Sequence, residues 1–586
     1  MERSEAGRGM AFRHFPTSKA ESISFLSASF TLTDTFVRIT TSMLPRQGLL
    51  FILLAFLFFG CSQQKGTTSY DDPGKPACGD TIVMASIGEA SNLIPLLSTD
   101  SASHEIAGRV YNGLVKYDKD LNIVGDLAES WEIAEDNLSI TFRLKKDVQW
   151  HDGKPFTAHD VMYTYKVTID PKTPTAYAAD FQLVKKAEVL DDHTFRATYD
   201  KPFAPALISW ATAIMPRHLL EGKDITASPL IRKPVGTGPF IFKEWVPGER
   251  VVLTVNKDYF EGRPYIDRYM MRIIPDSATM FLELKRYGID MMGLAPLQFL
   301  KQTEYPRFKQ EYNKFKYLAF NYTYLGFNLK HGPFKDRRVR QAISHAIDRK
   351  EIIDGILLGL GEEATGPFTP NMWAYNGNVK KYAYSKEKAL ALLKEVGYEK
   401  GPDGILKRNG SPFEFMLLVN QGNTVRIQCA ELIQRRLSEV GITVKIRVLE
   451  WASLINEFID KRNFDAVILG WSINPEPDPY DIWHSSKQGP KELNFISFEN
   501  KEVDEIIEKA RHTFDRAQRK RYYARFQEII ADEAPYVFLF YPYATVAIHK
   551  RFKGIEPAAA GLMHNFIKWY VPENQRRYKA NAALSP

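Results

Sequence analysis

The sequence contains few of the residues that metal centres, redox sites and catalytic nucleophiles require. Its 586 residues include three cysteines and twelve histidines, and neither a C-x-x-C nor an H-E-x-x-H spacing occurs among them. The serine elbow G-x-S-x-G, the P-loop and the thiol-protease signatures are also missing. We therefore predict a protein that holds no metal ion and no cofactor and that is not an enzyme.

The sequence also lacks a strong excess of one charge. It carries 77 basic and 70 acidic residues, a net charge of +7 with no basic tract, so a nucleic acid partner is not expected. Hydrophobic residues make up 44% of the chain and charged residues 25%, which is ordinary for a globular protein. A chain of this length is expected to divide into two or three domains.

Long apolar runs are scarce, and the most prominent one extends from Gly48 to Gly60. At about a dozen residues it is short for a membrane span of roughly 20, although an uncleaved signal or membrane anchor stays an alternative. With Cys61 directly after it, the segment resembles a bacterial lipoprotein signal, which implies that Cys61 is lipidated. We predict a non-native extension at 1–42, a signal peptide at 43–61 that starts at Met43, and a flexible tether at 62–78.

The clearest pattern within the folded part is a strand–helix–strand unit between Phe413 and Val448. Apolar residues alternate from Phe413 to Val419, then recur at helical spacing up to Gly441, and alternate again to Val448. Such crossovers join parallel strands. Ala466 to Gly470 is a further apolar run of strand length. Loops at the carboxyl ends of parallel strands line ligand crevices, so the polar loops Asn420–Asn423 and Ser472–Asp481 are predicted to face one site.

Three blocks of sequence, in this order and at these separations, resemble the dipeptide- and oligopeptide-binding class of solute-binding proteins that serve ABC importers (solute-binding protein family 5). They are Leu127–Val161, Val235–Phe240 and Phe334–Arg349, and the resemblance extends over Asp80 to Val571. If the resemblance is set aside, the pattern of the third block predicts an amphipathic helix that begins near Asp336. The second could be a strand-entry turn, because G-x-G-x-x-G is not completed.

The resemblance implies an α/β fold with two lobes, the periplasmic-binding-protein type II or Venus flytrap architecture, with an extra subdomain in lobe 1. Residues 79–317 and 537–586 would form lobe 1, and residues 318–536 would form lobe 2, inserted between two hinge crossovers. The apolar segments Lys316–Tyr322 and Ala534–Tyr543 match these crossovers, where a few residues can absorb a rotation while each lobe stays rigid.

The resemblance also assigns roles to residues of the loop after Gly470. In dipeptide-binding members an aspartate of this loop holds the ligand's ammonium, a role that falls best on Asp478, with Glu476 or Asp481 as alternatives. In longer-peptide members the acid lies where this chain has Asn474. The arginine that binds the carboxylate in dipeptide binders is replaced by Asn420, with Arg426 about one helical turn further on, which argues against a strict dipeptide specialist.

The candidate binding residues come from three loops. Several of them could instead have a structural role: tryptophan is also a core residue, and Ser101 and Ser103 could cap a helix. The candidates are Asp478, Trp471, Asn474 and Glu476 after the apolar strand, Asn420, Gln421 and Asn423 before the helix, and Thr99, Asp100 and Ser101 in lobe 1.

The predicted function is capture of peptides, with oligopeptides favoured, by a monomeric lipoprotein on the periplasmic or cell-surface side. Closure of the lobes on the peptide would create the form that ABC permease subunits recognise. Three alternatives stay open at this stage: a non-peptide solute such as a nickel chelate, an opine or an oligosaccharide; a secreted hydrolase; and a chaperone-like or signalling receptor.

Overall fold

The computed structural model describes residues 74–578. The predicted extension at 1–42, the signal at 43–61 with its lipidated Cys61, and the tether up to residue 73 lie outside the described residues. Within them, Cys78 is exposed and Cys429 is buried, and both are free thiols. No helix in this described range is both long and apolar enough to cross a membrane.

The described chain alternates strands and helices throughout. The strands are β1 Thr81–Ser86, β2 Val115–Tyr117, β3 Ile123–Gly125, β4 Ala128–Ile133, β5 Ser139–Leu144, β6 Val184–Asp191, β7 Thr194–Tyr199, β8 Phe240–Val246, β9 Arg250–Val255, β10 Arg268–Ile273, β11 Met291–Gly293, β12 Tyr312–Leu318, β13 Asn321–Phe327, β14 Gly361–Glu363, β15 Glu399–Lys400, β16 Leu406–Arg408, β17 Ser411–Pro412, β18 Glu414–Asn420, β19 Thr443–Leu449, β20 Ala466–Ser472 and β21 Tyr536–His549. The α-helices are α1 Ser101–Val110, α2 Ala158–Ile169, α3 Ala178–Gln182, α4 Ala206–Ser209, α5 Arg217–Leu220, α6 Ser277–Lys285, α7 Pro306–Glu311, α8 Arg337–Ala346, α9 Arg349–Glu351, α10 Lys386–Glu395, α11 Thr424–Glu439, α12 Trp451–Ser453, α13 Tyr480–Trp483, α14 Lys501–Arg511 and α15 Arg516–Glu533.

Lobe 1 contains two four-stranded sheets. One has the strand order β1-β10-β9-β8, with β1 parallel to β10, and the other has the order β4-β5-β7-β6 and is antiparallel. The second sheet has a core of its own, in which the rings of Phe142, Phe181 and Phe195 surround Trp210. It forms the extra subdomain that the family resemblance implied in lobe 1.

Gly236 and Gly238 lie in the second of the three recognised blocks, where the backbone passes close to the end of α1. A Cβ atom on Gly236 would lie 1.9 Å from the carbonyl oxygen of Val110, and one on Gly238 would lie 2.6 Å from it. Only glycine fits where the backbone passes this closely. This glycine pair therefore lets the segment that leads into β8 pack against the end of α1.

Lobe 2 contains the predicted strand–helix–strand unit. Strands β18 and β19 are parallel and α11 connects them, and β20 lies on the other side of β18, parallel to it. β20 is buried from Ala466 to Leu469, as its uninterrupted apolar run predicts. The carboxyl ends of β18 and β20 therefore meet at one edge of the sheet, which confirms the α/β arrangement predicted for this region.

The two lobes share one long strand, β21. Its first half pairs with β13 of lobe 2, and its second half pairs with β12 and β11 of lobe 1. Pro542 lies at the change from one set of partners to the other, where it pairs only with Gly361 of β14. Proline has no N–H to donate to a sheet. The hydrogen-bond ladder is thus weakest where β21 leaves one lobe for the other.

Candidate functional site

A large cleft lies between the lobes, with a cavity volume of about 1550 Å³. Sites for single drug-sized molecules usually have roughly 300 to 1,000 Å³, so this cleft has room for a longer ligand. Lobe 1 contributes α1, α3 and the loops beside them. Lobe 2 contributes the start of α11, the end of β20 and the loop after β20.

The turn from β18 into α11 is fixed by local hydrogen bonds. The side chain of Asn423 caps α11 by accepting a hydrogen bond from the Arg426 backbone N–H at 3.0 Å, as expected of an asparagine at this position. Gly422 has φ +80°, and a Cβ there would lie 2.5 Å from the Pro275 carbonyl oxygen of lobe 1. Asn423 lines the cleft. Asn420 and Gln421 are not among its lining residues, and Asn420 is buried beneath it.

The loop after β20 brings acidic and aromatic side chains to the cleft, including the predicted Trp471, Asn474, Glu476 and Asp478. The indole N–H of Trp471 donates to the Tyr536 hydroxyl at 3.3 Å, so its ring has a fixed orientation. Asn474 is exposed. Glu476 forms an ion pair with Arg519 of α15.

Asp478 and Arg511 form an ion pair that also reaches lobe 1. Asp478 Oδ2 lies 3.1 Å from Arg511 Nε, and the Arg511 guanidinium also donates to Asp180 of α3. The same guanidinium lies 4.1 Å from the centre of the Tyr480 ring. Arg511 is almost fully buried, so these charges interact strongly. We call Asp180, Arg511 and Asp478 the interlobe triad.

Backbone contacts reinforce the interlobe triad. The Ala204 N–H of lobe 1 donates to the Arg511 carbonyl oxygen at 2.7 Å, and the His512 ring donates to the Pro202 carbonyl oxygen at 2.8 Å. Asp180 is oriented by the Ser209 hydroxyl, which donates to it at 2.7 Å. The lobes are therefore in direct contact on the side of the cleft where the acids lie.

Asp481 has the least satisfied carboxylate of this region. Its Oδ1 atom is buried and has no hydrogen-bond partner among the described residues, although Lys487 Nζ lies 3.6 Å away. Burial, together with the negative charges of Asp180 and Asp478, raises the pKa of Asp481 to about 7. Burial also raises the pKa of Asp478, which Arg511 opposes. Three carboxylates, those of Asp180, Asp478 and Asp481, share two cations, Arg511 and Lys487, so a further cation would be stabilised.

The predicted lobe 1 residues Thr99, Asp100 and Ser101 also line the cleft. Asp100 is buried, and its oxygens already accept hydrogen bonds from the Ser103 N–H at 2.9 Å and from the Ser103 and Ser91 hydroxyls. It is the N-cap of α1. Thr99 is half-buried and Ser101 is exposed, so these two side chains are more accessible to a ligand.

Several buried polar atoms that lack hydrogen-bond partners belong to cleft residues. Folded proteins rarely leave such atoms unpaired, so their concentration here indicates a site for a ligand with many donors and acceptors. Within the described residues they include Arg109 Nε, Asn321 Oδ1, Tyr322 Oη, Trp451 Nε1 and Asp481 Oδ1.

Sequence reasoning missed Asp180, Arg511 and Arg109. Asp180 and Arg511 are 331 positions apart in the chain, and each lies in a helix with ordinary surface patterning. Arg109, at the end of α1, is one helical turn from Glu105 and could have been taken for a surface pair. Among the charged side chains around Arg511 that the loop after β20 does not explain, none had a sequence signal. Asp481 did, because it is one of the acids of that loop.

Comparison with known proteins gives consistent similarities. Residues 122–492 match the family model described as bacterial extracellular solute-binding proteins, family 5 Middle. The oligopeptide-binding protein AppA of Bacillus subtilis (strain 168) is 36% identical over 533 residues, which are 89% of this chain and 97% of AppA.

Solved structures give the same result. AppA from Bacillus subtilis in complex with a nonapeptide has a TM-score of 0.81 and 34% identity, over 85% of this chain and 100% of that chain. NikZ from Campylobacter jejuni in complex with Ni(L-His) has a TM-score of 0.76 and 28% identity, over 84% and 99%. The similarity therefore covers both lobes.

Proposed function

Because the chain belongs to family 5 of the bacterial extracellular solute-binding proteins, we propose that it captures oligopeptides and delivers them to the membrane permease of an ABC importer. Members of this family are binding proteins of transport systems and not enzymes. The observation that carries the proposal is the cleft of about 1550 Å³ with unpaired polar atoms. AppA, which was solved with a nonapeptide, supports the choice of oligopeptides.

The peptide's ammonium would be held by the acids of the loop after β20. Asp478 and Asp481, together with Asp180, supply more negative charge than Arg511 and Lys487 balance, and the free Oδ1 of Asp481 can accept a hydrogen bond. The Trp471 ring and the side chains of Asn474 and Glu476 would form the pocket around the first residues. A peptide backbone would supply partners for the other unpaired atoms of the cleft.

Capture would proceed by closure of the two lobes. We assign residues 79–317 and 537–586 to lobe 1 and 318–536 to lobe 2. The hinge would lie where β12 leads into β13 and in the first half of β21, between the assigned boundary at residue 537 and Pro542. A ligand that contacts both lobes binds the closed form more tightly and so shifts the equilibrium towards it. The interlobe triad would form as the lobes meet.

The protein would act as a monomer, tethered outside the cytoplasm by lipid on Cys61. The support is the sequence pattern alone: the apolar segment Gly48–Gly60 directly before Cys61 and the polar tether 62–78 after it. Globomycin, which blocks lipoprotein signal cleavage, should retain the precursor if this is right. A Cys61→Ser variant that stays membrane-bound would contradict lipid anchoring.

Native mass spectrometry tests the ligand class directly. The chain from Ser62 onward would be purified, stripped of ligand and mixed with a random peptide pool. We expect a series of bound masses that correspond to peptides and show the preferred length. One dominant non-peptide mass, such as a nickel chelate, would contradict the assignment of peptides as ligands without affecting the fold. A protein that binds nothing from the pool would do the same.

A further inference from the structure

Two arginines of the described chain line the cleft, one from each lobe. Arg109 of lobe 1 has an acidic neighbour, because its charge opposes the rise that burial causes in the pKa of Glu105. Arg426 of α11 has none: it forms no ion pair with any carboxylate of residues 74–578. Burial lowers the pKa of Arg426 to about 10, and only the Tyr324 hydroxyl and the Cys429 thiol oppose that shift.

The surroundings of Arg426 hold its guanidinium in place without neutralising it. Arg426 Nη1 donates to the side-chain oxygen of Asn420 at 2.9 Å, and the Asn420 amide in turn donates to the Gln421 carbonyl oxygen at 3.1 Å. A Cβ atom on Gly470 would lie 3.0 Å from Arg426 Nη2. Glycine at this position of β20 therefore leaves space for the guanidinium at the floor of the cleft.

A fixed, unneutralised guanidinium in a ligand cleft fits one chemical group best. A buried charge is costly unless it is paired, and the planar guanidinium fork matches a carboxylate through two parallel hydrogen bonds. Asn420 occupies only one of its donors, so others are left for a ligand.

We propose that Arg426 binds a carboxylate of the captured ligand, at the opposite pole of charge from the acids Asp478 and Asp481. This inference rests on the proposed capture of peptides, in which the carboxylate comes either from the peptide's C-terminus or from an acidic side chain. The two poles would orient the ligand in one direction along the cleft.

The test measures binding of three matched peptides to the wild-type protein and to Arg426→Gln by calorimetry. The peptides share one sequence selected from the pool: the first has a free C-terminus and no acidic side chain, the second is its C-terminal amide, and the third is the amide with one glutamate. We expect Arg426→Gln to weaken binding of the free-acid peptide by about 10- to 100-fold and to leave binding of the plain amide unchanged. A loss for the glutamate peptide alone would identify an acidic side chain as the source.

Two controls separate this effect from general damage. Arg435→Gln alters an exposed arginine of the same helix, paired with Glu351, and should leave all three affinities unchanged. Arg426→Lys keeps the charge and should retain part of the preference for the free acid. Equal weakening of all three peptides, or no weakening of any of them, would overturn the inference. If the wild-type protein binds no peptide at all, it is the proposed function that fails.

Discussion

At the scale of single residues, the acids of the loop after β20 determine how a ligand cation is received. Asp478 is paired with Arg511 at 3.1 Å, yet it shares the site with two further carboxylates. We expect Asp478→Asn to weaken binding of a free-amine peptide by about 2 to 5 kcal/mol, because a charge partner is lost from a desolvated site. Calorimetry with the peptide and its N-acetylated form measures this. Equal losses for both forms would contradict the assignment.

The raised pKa of Asp481 makes binding depend on pH. With a pKa of about 7, the carboxyl is largely protonated at about pH 5.5, and its proton must leave before an ammonium is stabilised. Affinity for a free-amine peptide should therefore fall roughly tenfold from about pH 7 to about pH 5.5. Asp481→Asn should remove most of that dependence. A wild-type affinity that does not change over this range would show that Asp481 does not contact the ammonium.

At the scale of elements, a substitution at the N-terminus of α1 can distinguish a helix-capping role of Asp100 from a ligand-binding role. Asp100 directs its oxygens to Ser103 and Ser91. Asp100→Ala should therefore lower the free energy of unfolding by about 1 to 2 kcal/mol, measured by urea denaturation, with little change in peptide affinity. Ser101→Ala, at an exposed neighbour, is the control for capping and should leave the free energy of unfolding unchanged. Lost affinity at unchanged stability would mean that Asp100 contacts the ligand.

The elements were predictable from sequence to the extent that their patterns are local. The apolar alternation in β18, the helical spacing in α11 and the continuous apolar run in β20 each report on residues a few positions apart. The polar loops at the ends of these strands followed from the parallel direction. That Asn420 turns beneath the cleft and contacts Arg426 did not follow, since it depends on which rotamer the packed helix allows.

At the scale of the whole molecule, the interlobe triad could not be predicted, because it exists only when α3 of lobe 1 meets α14 of lobe 2. Asp180→Asn should destabilise the closed form by about 1 to 3 kcal/mol, since Arg511 loses one of two charged partners. Small-angle scattering should then show a larger radius of gyration without ligand, and peptide affinity should fall.

Asp200→Asn provides the matched control for this variant. Asp200 is an exposed acid of the same lobe, paired with Lys185, and its loss should change neither scattering nor affinity. If Asp180→Asn also leaves both unchanged, the triad does not contribute to closure.

The shared strand β21 has a consequence for synthesis. Because it pairs with β13 in one lobe and with β11 and β12 in the other, the sheet that the two lobes share is incomplete until residues near the C-terminus have left the ribosome. Domains generally fold as they emerge, N-terminal part first, but here the shared sheet of both lobes must wait for the same late segment. A chain whose shared sheet stays incomplete for so long could still be threaded through a membrane, which suits a member of a family of extracellular proteins.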